Sequence, residues 1–249
     1  MFGNFIYLII ALLIYTTYYP PDQPNFQAMD AALLALFLIV IFATFAWIQF
    51  RDIEKRIGRE SFIRLDHRFS SSLTRHSILA IGFFTCSIYG LNLTTYTARL
   101  PLVSLFPTLD GLICLCLFLL YMTIVWICAW FPYEKLYRNG ISLRAYVSSQ
   151  ISFSIPVVLP WLLISGVSDI LQALPFELPR KLLATSVGQI LFFLFFLLAV
   201  AITGPAMIQK FWRCKPLEPG LVRQRIETWA GVPGLLLPIS YTGRSWADG

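Results

Sequence analysis

The sequence predicts an all-α integral membrane protein. It has six transmembrane helices with both termini in the cytoplasm, followed by a short amphipathic cytoplasmic helix. Three observations predict this fold class: six long apolar runs, basic residues concentrated in every second gap, and a low content of charge. Of the 249 residues, 57% are hydrophobic and 13% are charged, and the mean hydropathy is +0.71. Soluble domains of this length rarely have such a composition.

The apolar runs have the length that a bilayer requires. A helix rises ~1.5 Å per residue and the hydrocarbon core is ~30 Å thick, so about 20 apolar residues suffice. The third run is the shortest and contains several polar residues. None of the runs alternates with a period of two, which favours helices over barrel strands. The predicted spans are Phe2–Tyr19, Ala32–Phe50, Ile78–Leu93, Gly111–Phe131, Ile151–Leu171 and Gly188–Ile208.

Lysine and arginine residues predict the orientation of these spans. Of the 19, seven lie in 51–77, three in 132–150 and six after residue 208, and the other three lie in the remaining gaps. Basic residues are enriched in cytoplasmic loops, so this distribution predicts that the N-terminus and the C-terminus are both cytoplasmic. The net charge of +6 is therefore attributed to loops beside anionic headgroups, with the lipid bilayer as partner and no nucleic acid.

The first run is interpreted as a retained helix and not as a secretion signal. It has no basic region before it, and the Tyr18–Pro21 segment lacks the small residues that a signal peptidase requires. The second span is expected to continue as a cytoplasmic helix until Gly58. Its charged continuation, 51–77, is interpreted either as a solvated loop facing the headgroups or as a docking surface. Acid–base pairs at i,i+4 are expected for Asp52 with Arg56 and for Glu60 with Arg64.

Individual residues give further expectations for the later spans. Pro156 and Pro160 predict a kinked fifth helix. Asp110 and Asp169 are interpreted as capping or interfacial carboxylates, with a functional role as the alternative. The four cysteines inside apolar runs are expected to be buried, without a disulfide or a metal site. Expected interfacial anchors at the cytoplasmic face are Trp47, Trp126, Trp130, Tyr133 and Trp212.

The chain changes character after the sixth run. Gly204 and Pro205 are expected to end the last helix. Residues 219–230 place Leu221, Ile226 and Trp229 on one face of a short amphipathic helix. The predicted domains are therefore a transmembrane part, residues 1–209, and a cytoplasmic lead-in, residues 210–249, to a domain that the sequence does not contain.

The sequence contains no recognisable catalytic motif. Its two histidines, His67 and His76, are nine residues apart and are interpreted as solvated loop residues, since zinc sites on a helix need ligands at i,i+4 with a nearby acid. Ser165 lacks the glycine of a nucleophile turn and a histidine base in any span. No phosphate-binding glycine motif is present. Catalytic, cofactor-binding and metal residues are therefore predicted to be none.

Several short segments resemble bacterial membrane-anchored zinc metallopeptidases, relatives of HtpX and of the CaaX prenyl-protein proteases. The resemblance covers most of the chain as the N-terminal membrane part of such an enzyme. The similar segments are Met1–Tyr7, Leu13–Tyr18, Asp66–Ser71, Ile88–Leu93, and Pro216–Gly220 leading into Arg225–Glu227.

The resemblance implies a bacterial cytoplasmic (inner) membrane location and a cytoplasmic protease domain after the membrane part. In that domain HExxH and a further Glu would bind zinc, but this chain ends at Gly249 before any such motif. No catalytic residue can therefore be transferred, and zinc is expected only in a full-length relative. The expected function is the anchoring, non-catalytic domain of such a protease. The alternatives are a non-enzymatic scaffold or assembly subunit and, third, a small transporter.

Overall fold

The computed structural model describes residues 3–21, 24–173, 185–211, 215–216 and 238–239. It forms two compact units, Met1–Gln189 and Ile190–Gly249. The described helices are α1 (Gly3–Thr17), α2 (Ala28–Arg56), α3 (Phe62–Thr85), a π-helical turn (Cys86–Gly90), α4 (Leu93–Thr97), α5 (Pro101–Leu105), α6 (Thr108–Tyr137), α7 (Leu143–Ala173) and α8 (Ser186–Phe211).

The second unit contains most of α8 and a minimal antiparallel pairing further along the chain. Lys215–Pro216 (β1) pairs with Pro238–Ile239 (β2), and Lys215 is opposite Ile239. The described part of the chain is therefore helical apart from this one two-residue pair. The predicted amphipathic helix at 219–230 lies outside the described residues, as does Trp212.

Two described helices, α2 and α6, are each long and apolar enough to cross a membrane. They contain the second and fourth predicted runs. Helix α7 becomes a third span when its two halves are counted together. The apolar helical segments Phe5–Thr17 and Ser186–Ile202 are shorter. The structure thus shows an all-helical protein with two membrane-spanning candidates, and not the six independent spans that the sequence predicts.

The fifth span is bent, as its prolines predict. Leu143–Pro156 and Val158–Ala173 meet at an angle of 51°. A proline inside a helix removes a backbone donor and its ring clashes with the carbonyl four residues earlier. Pro156 and Pro160 both lie inside α7, so the bend has an identifiable cause.

Contacts at both ends of the first unit define how its helices run. Lys135, near the end of α6, pairs with Glu54, near the end of α2. At the opposite end, Asp169 of α7 accepts a hydrogen bond from the backbone N–H of Thr108, the first residue of α6. Helices α2 and α6 therefore run in the same direction and α7 runs in the opposite one. The short connections after α2 and after α6 lie at the same end, which we call the basic end.

Helix α6 is the centre of the first unit and packs against α1, α2, α3 and α7. Its buried residues include Phe118, Tyr121 and Trp126. Tyr121 is fully buried and forms an edge-to-face contact with Phe42 of α2, with ring centroids 5.3 Å apart. Its hydroxyl lies 3.1 Å from that of Ser87 in the π-helical turn. Aromatic packing and one shared hydrogen bond thus join α2 and the end of α3 to α6.

Helix α2 buries three alanines together with Phe42 and Phe50, and it exposes many of its other large apolar residues. Ala31, Ala35 and Ala46 are buried, whereas Leu33 and Phe37 are 59% and 60% exposed. Small residues at helix contacts allow close backbone approach in membranes, where lipid solvates large apolar side chains. In water such an apolar surface would favour association. This burial pattern is the one expected for a helix that crosses a membrane.

The third apolar run differs from its predicted form. Helix α3 begins at Phe62, sixteen residues before the predicted start of the span at Ile78. Much of the segment interpreted as a solvated loop is therefore helical. Its polar and apolar residues alternate with helical periodicity, and Leu65 and Phe69 are buried against the rest of the unit.

Other sequence-based expectations are also wrong at particular residues. Trp126 is 1% exposed and belongs to the core, so it is not an interfacial anchor. Cys86 and Cys116 are exposed, whereas Cys114 is buried as expected. Helix α8 continues past Gly204 to Phe211. Apolar runs indicate which residues avoid water, but they do not distinguish a neighbouring helix from lipid.

Helices α1, α6 and α7 approach one another closely at Gly111. A Cβ atom at this position would lie 2.5 Å from Cη2 of Trp161 and 2.9 Å from Cε1 of Tyr15. The first turn of α6 therefore depends on glycine to fit between α1 and α7. At Gly82 of α3, by contrast, a Cβ would meet no atom within 4 Å.

We expect Gly111→Ala to lower the melting temperature of the purified protein in detergent. Overpacking typically costs about 1–3 kcal/mol. The matched control, Gly82→Ala, should be neutral or stabilising by up to about 1 kcal/mol, because alanine is the better helix former. Equal melting temperatures for the two variants would contradict the packing at Gly111.

Candidate functional site

The basic end carries a network of ion pairs between α2, α3 and α6. Arg56 Nε lies 2.8 Å from Asp52, which confirms the predicted i,i+4 pair. Glu60 does not pair with Arg64; its carboxylate lies 3.3 Å from Arg56 and 3.5 Å from Arg68. The prediction is wrong because α3 begins only at Phe62, so Glu60 precedes the helix that carries Arg64.

An aromatic cluster lies beside these charges and joins α3, α6 and α7. The ring of Tyr133 lies 4.8 Å from that of Tyr137 and 4.9 Å from that of Tyr146. The Tyr137 hydroxyl donates a hydrogen bond to Asp66 of α3. Aromatic pairs in such arrangements stabilise a fold beyond their buried area. The cluster therefore fixes the ends of three helices relative to one another.

The turn between α6 and α7 is held by side chains of α6. The carboxylate of Glu134 accepts hydrogen bonds from the backbone N–H groups of Gly140, at 3.0 Å, and Ile141, at 3.3 Å. Trp130 Nε1 donates to the carbonyl oxygen of Ile141 at 2.9 Å. Gly140 has a positive φ of 63°, which glycine adopts without steric cost. The basic end thus presents a braced surface.

The opposite end holds the two carboxylates that the sequence analysis selected. Asp110 accepts hydrogen bonds from Thr97 of α4 and, at 3.3 Å, from Tyr15 of α1. Asp169 accepts from the N–H of Thr108 at 2.7 Å. A carboxylate at a helix N-terminus satisfies an orphan donor and complements the helix dipole. The geometry agrees with a capping role for Asp169, whereas Asp110 bonds to side chains of α4 and α1; their position at a membrane interface stays a prediction.

The two histidines occupy different environments. His76 is 3% exposed, so its interpretation as a solvated loop residue is wrong. Its ring lies 5.1 Å from that of Phe50 and 5.5 Å from that of Phe45. His76 Nδ1 lies 2.8 Å from the carbonyl oxygen of Ser72. His67 is exposed on the same helix.

These surroundings do not fit a zinc site. Zinc requires three or four ligands from histidine, cysteine or carboxylates at about 2.0–2.3 Å. Within the described ranges, no group of three such side chains could hold a metal ion. His76 faces phenylalanine rings of α2, and neither Asp66 nor the other acids of the basic end bonds to it. The helical periodicity of α3 was the signal that could have predicted its burial.

The described fold is helical, and two of its helices are long and apolar enough to cross a membrane, which indicates a helical membrane protein. Comparison with protein-family models, curated proteins and solved structures gave no match for the chain. The resemblance to membrane-anchored metallopeptidases therefore remains a hypothesis from the sequence.

Burial of His76 predicts a pH dependence of stability. Desolvation lowers the pKa of His76 below its ordinary value of about 6.5. The folded protein therefore holds the neutral ring, while the unfolded chain binds a proton as the pH falls below about 6.5. Stability is retained above this pH and lost as the pH falls, by at most about 1.4 kcal/mol per pH unit for one proton.

We expect His76→Phe to reduce the fall in melting temperature between pH 7.5 and 5.5, because phenylalanine keeps the ring contacts and cannot be protonated. The control is His67→Gln, which changes an exposed histidine of the same helix and should retain the wild-type slope. A His76→Phe variant with the full wild-type slope would exclude His76 as the source of the pH dependence.

Proposed function

We propose that this chain is the membrane-embedded N-terminal domain of an HtpX-like zinc metallopeptidase of the bacterial cytoplasmic membrane. It anchors a cytoplasmic protease domain and is not catalytic by itself. The observation that carries the proposal, beside the segment resemblance, is the braced basic end. Four helix ends meet there, and their charged and aromatic side chains offer a rigid surface on which a soluble domain could be held.

The proposal includes six spans with both termini in the cytoplasm. The positions of the basic residues support it, since seven lie in 51–77 and three in 132–150. The connections after α2 and α6, which belong to these segments, lie at the same end of the first unit. With the basic end in the cytoplasm, the orientation satisfies the positive-inside rule. The shorter apolar helices would then complete the set of spans through tilt or local thinning of the bilayer.

In the proposed anchoring role, this chain needs no catalytic group of its own. In a full-length relative, the protease domain would supply the zinc ligands and the base that activates water. The membrane domain would hold that site near the bilayer, where membrane-protein substrates emerge. Its own carboxylates at the basic end are used in ion pairs and hydrogen bonds.

The alternative is a non-enzymatic scaffold or assembly subunit that binds a separate partner protein. The exposed charges of the network around Arg56 favour this second function. Both functions use the same surface, so only the attached or associated domain distinguishes them.

The decisive test is the genomic sequence after codon 249, followed by expression of the longer chain. If the reading frame continues into HExxH and a further Glu, the longer chain should bind about one zinc per chain and cleave peptides. Changing the Glu of HExxH to Gln should abolish the cleavage. The 249-residue chain should contain no stoichiometric zinc and cleave no peptide. Unrelated sequence after codon 249 in every frame would favour the scaffold. One zinc per 249-residue chain, lost in His67→Ala and His76→Ala, would contradict the proposal.

Orientation can be tested by cysteine labelling on a cysteine-free background. A reagent that cannot cross the membrane should modify single cysteines at Gln27 and Ala98 in intact cells. Cysteines at Arg59 and Asn139 should react only after the membrane is permeabilised. All four positions are exposed, so differences in labelling report the side of the membrane. The reverse pattern would exclude the proposed orientation.

A further inference from the structure

An open groove lies along the first turns of α7, where this helix packs beside α6 at the basic end. Its volume is about 500 Å³, within the ~300–1,000 Å³ typical of small-molecule sites. Four aliphatic residues of α7 at successive i,i+4 positions form one wall, and one residue of α6 completes it. These residues are Leu143, Val147, Ile151, Ile155 and Ile127.

A polar edge runs beside this apolar wall. Arg144, Ser148 and Ser152 also line the groove and are spaced four residues apart on α7. Arg144 lies in the first turn of the helix, where backbone N–H groups lack intrahelical partners and the helix dipole favours an anion. The groove is therefore cationic at the start of the helix and aliphatic further along it.

The charge of Arg144 is not neutralised by the described part of the chain. The segments 51–77 and 132–150 contain five acidic residues. Each has another partner: three form ion pairs with Arg56, Arg68 or Lys135, one accepts from Tyr137, and one accepts from the turn between α6 and α7. These acids are Asp52, Glu54, Glu60, Asp66 and Glu134. Arg144 is exposed and forms no ion pair with any described carboxylate, so its charge is available to an anion from outside the chain.

We propose that this groove binds one anionic membrane phospholipid. The headgroup phosphate bonds to Arg144 and Ser148, and an acyl chain lies along Val147, Ile151 and Ile155. The guanidinium group matches the geometry of phosphate oxygens, and aliphatic side chains exposed at a membrane protein's surface are solvated by acyl chains. Basic pockets between membrane helices recognise lipid headgroups in the same way. A soluble phosphate would leave the aliphatic wall exposed to water.

The test is native mass spectrometry of the purified, delipidated protein titrated with phosphatidylglycerol or phosphatidylcholine of the same acyl chains. We expect the first phosphatidylglycerol to bind about fivefold more tightly than phosphatidylcholine, which corresponds to about 1 kcal/mol for one basic residue near anionic lipid. Arg144→Gln should remove this preference. Arg64→Gln, which removes an exposed arginine of α3 away from the groove, should retain it.

Two further variants keep the test decisive. Arg144→Lys should restore most of the headgroup preference, which distinguishes lost charge from a folding defect. Ile151→Trp should fill the apolar wall and weaken the first binding step for both lipids. If wild-type protein shows no preference, or Arg144→Gln keeps it, the proposal is overturned. The groove is then covered by another segment, by a second copy, or by no lipid.

Discussion

The packing of α6 against its neighbours is the constraint on which the rest of the structure depends. In lipid, large apolar side chains gain little by moving from acyl chains to a protein interior, so helix association relies on close packing and on hydrogen bonds. The fully buried Tyr121, its contact with Phe42 and its hydrogen bond with Ser87 supply both along the middle of α6. Gly111 allows α1 and α7 to pack equally closely against the first turn of α6. The arrangement of the helices at both ends of the first unit therefore depends on α6.

The sequence predicted the helical membrane class because hydropathy and charge are local properties. The second and fourth runs lie on α2 and α6, and the proline pair correctly predicted the bend of α7. The shorter runs were harder to interpret, because a length threshold cannot show whether a 15-residue helix such as α1 spans a bilayer. The six-span count and the sides of the membrane therefore remain proposals.

Hydropathy alone could not predict which residues are buried in the interior. His76 was expected in a solvated loop because its neighbours in sequence are polar. In the structure, helix α3 begins early and places His76 between two phenylalanine rings of α2. Trp126 was expected at the interface because it lies near the predicted cytoplasmic end of its span. In both cases, residues on other helices determine the environment of the side chain, and these tertiary contacts cannot be predicted from the local sequence.

At the basic end, a few acidic residues determine whether the basic residues on each side of α6 are neutralised. On the flank towards α2 and α3, carboxylates neutralise Arg56, Arg68 and Lys135, and these helix ends are braced. Towards α7, Glu134 bonds to backbone N–H groups and neutralises no cation. In the proposed function, this first flank would hold a protein domain through its mixed-charge surface. The second keeps an unneutralised arginine above an aliphatic wall, and this combination of charge and hydrocarbon is complementary to a phospholipid. In the two proposals, α6 therefore separates a surface for a protein domain from a groove for a lipid.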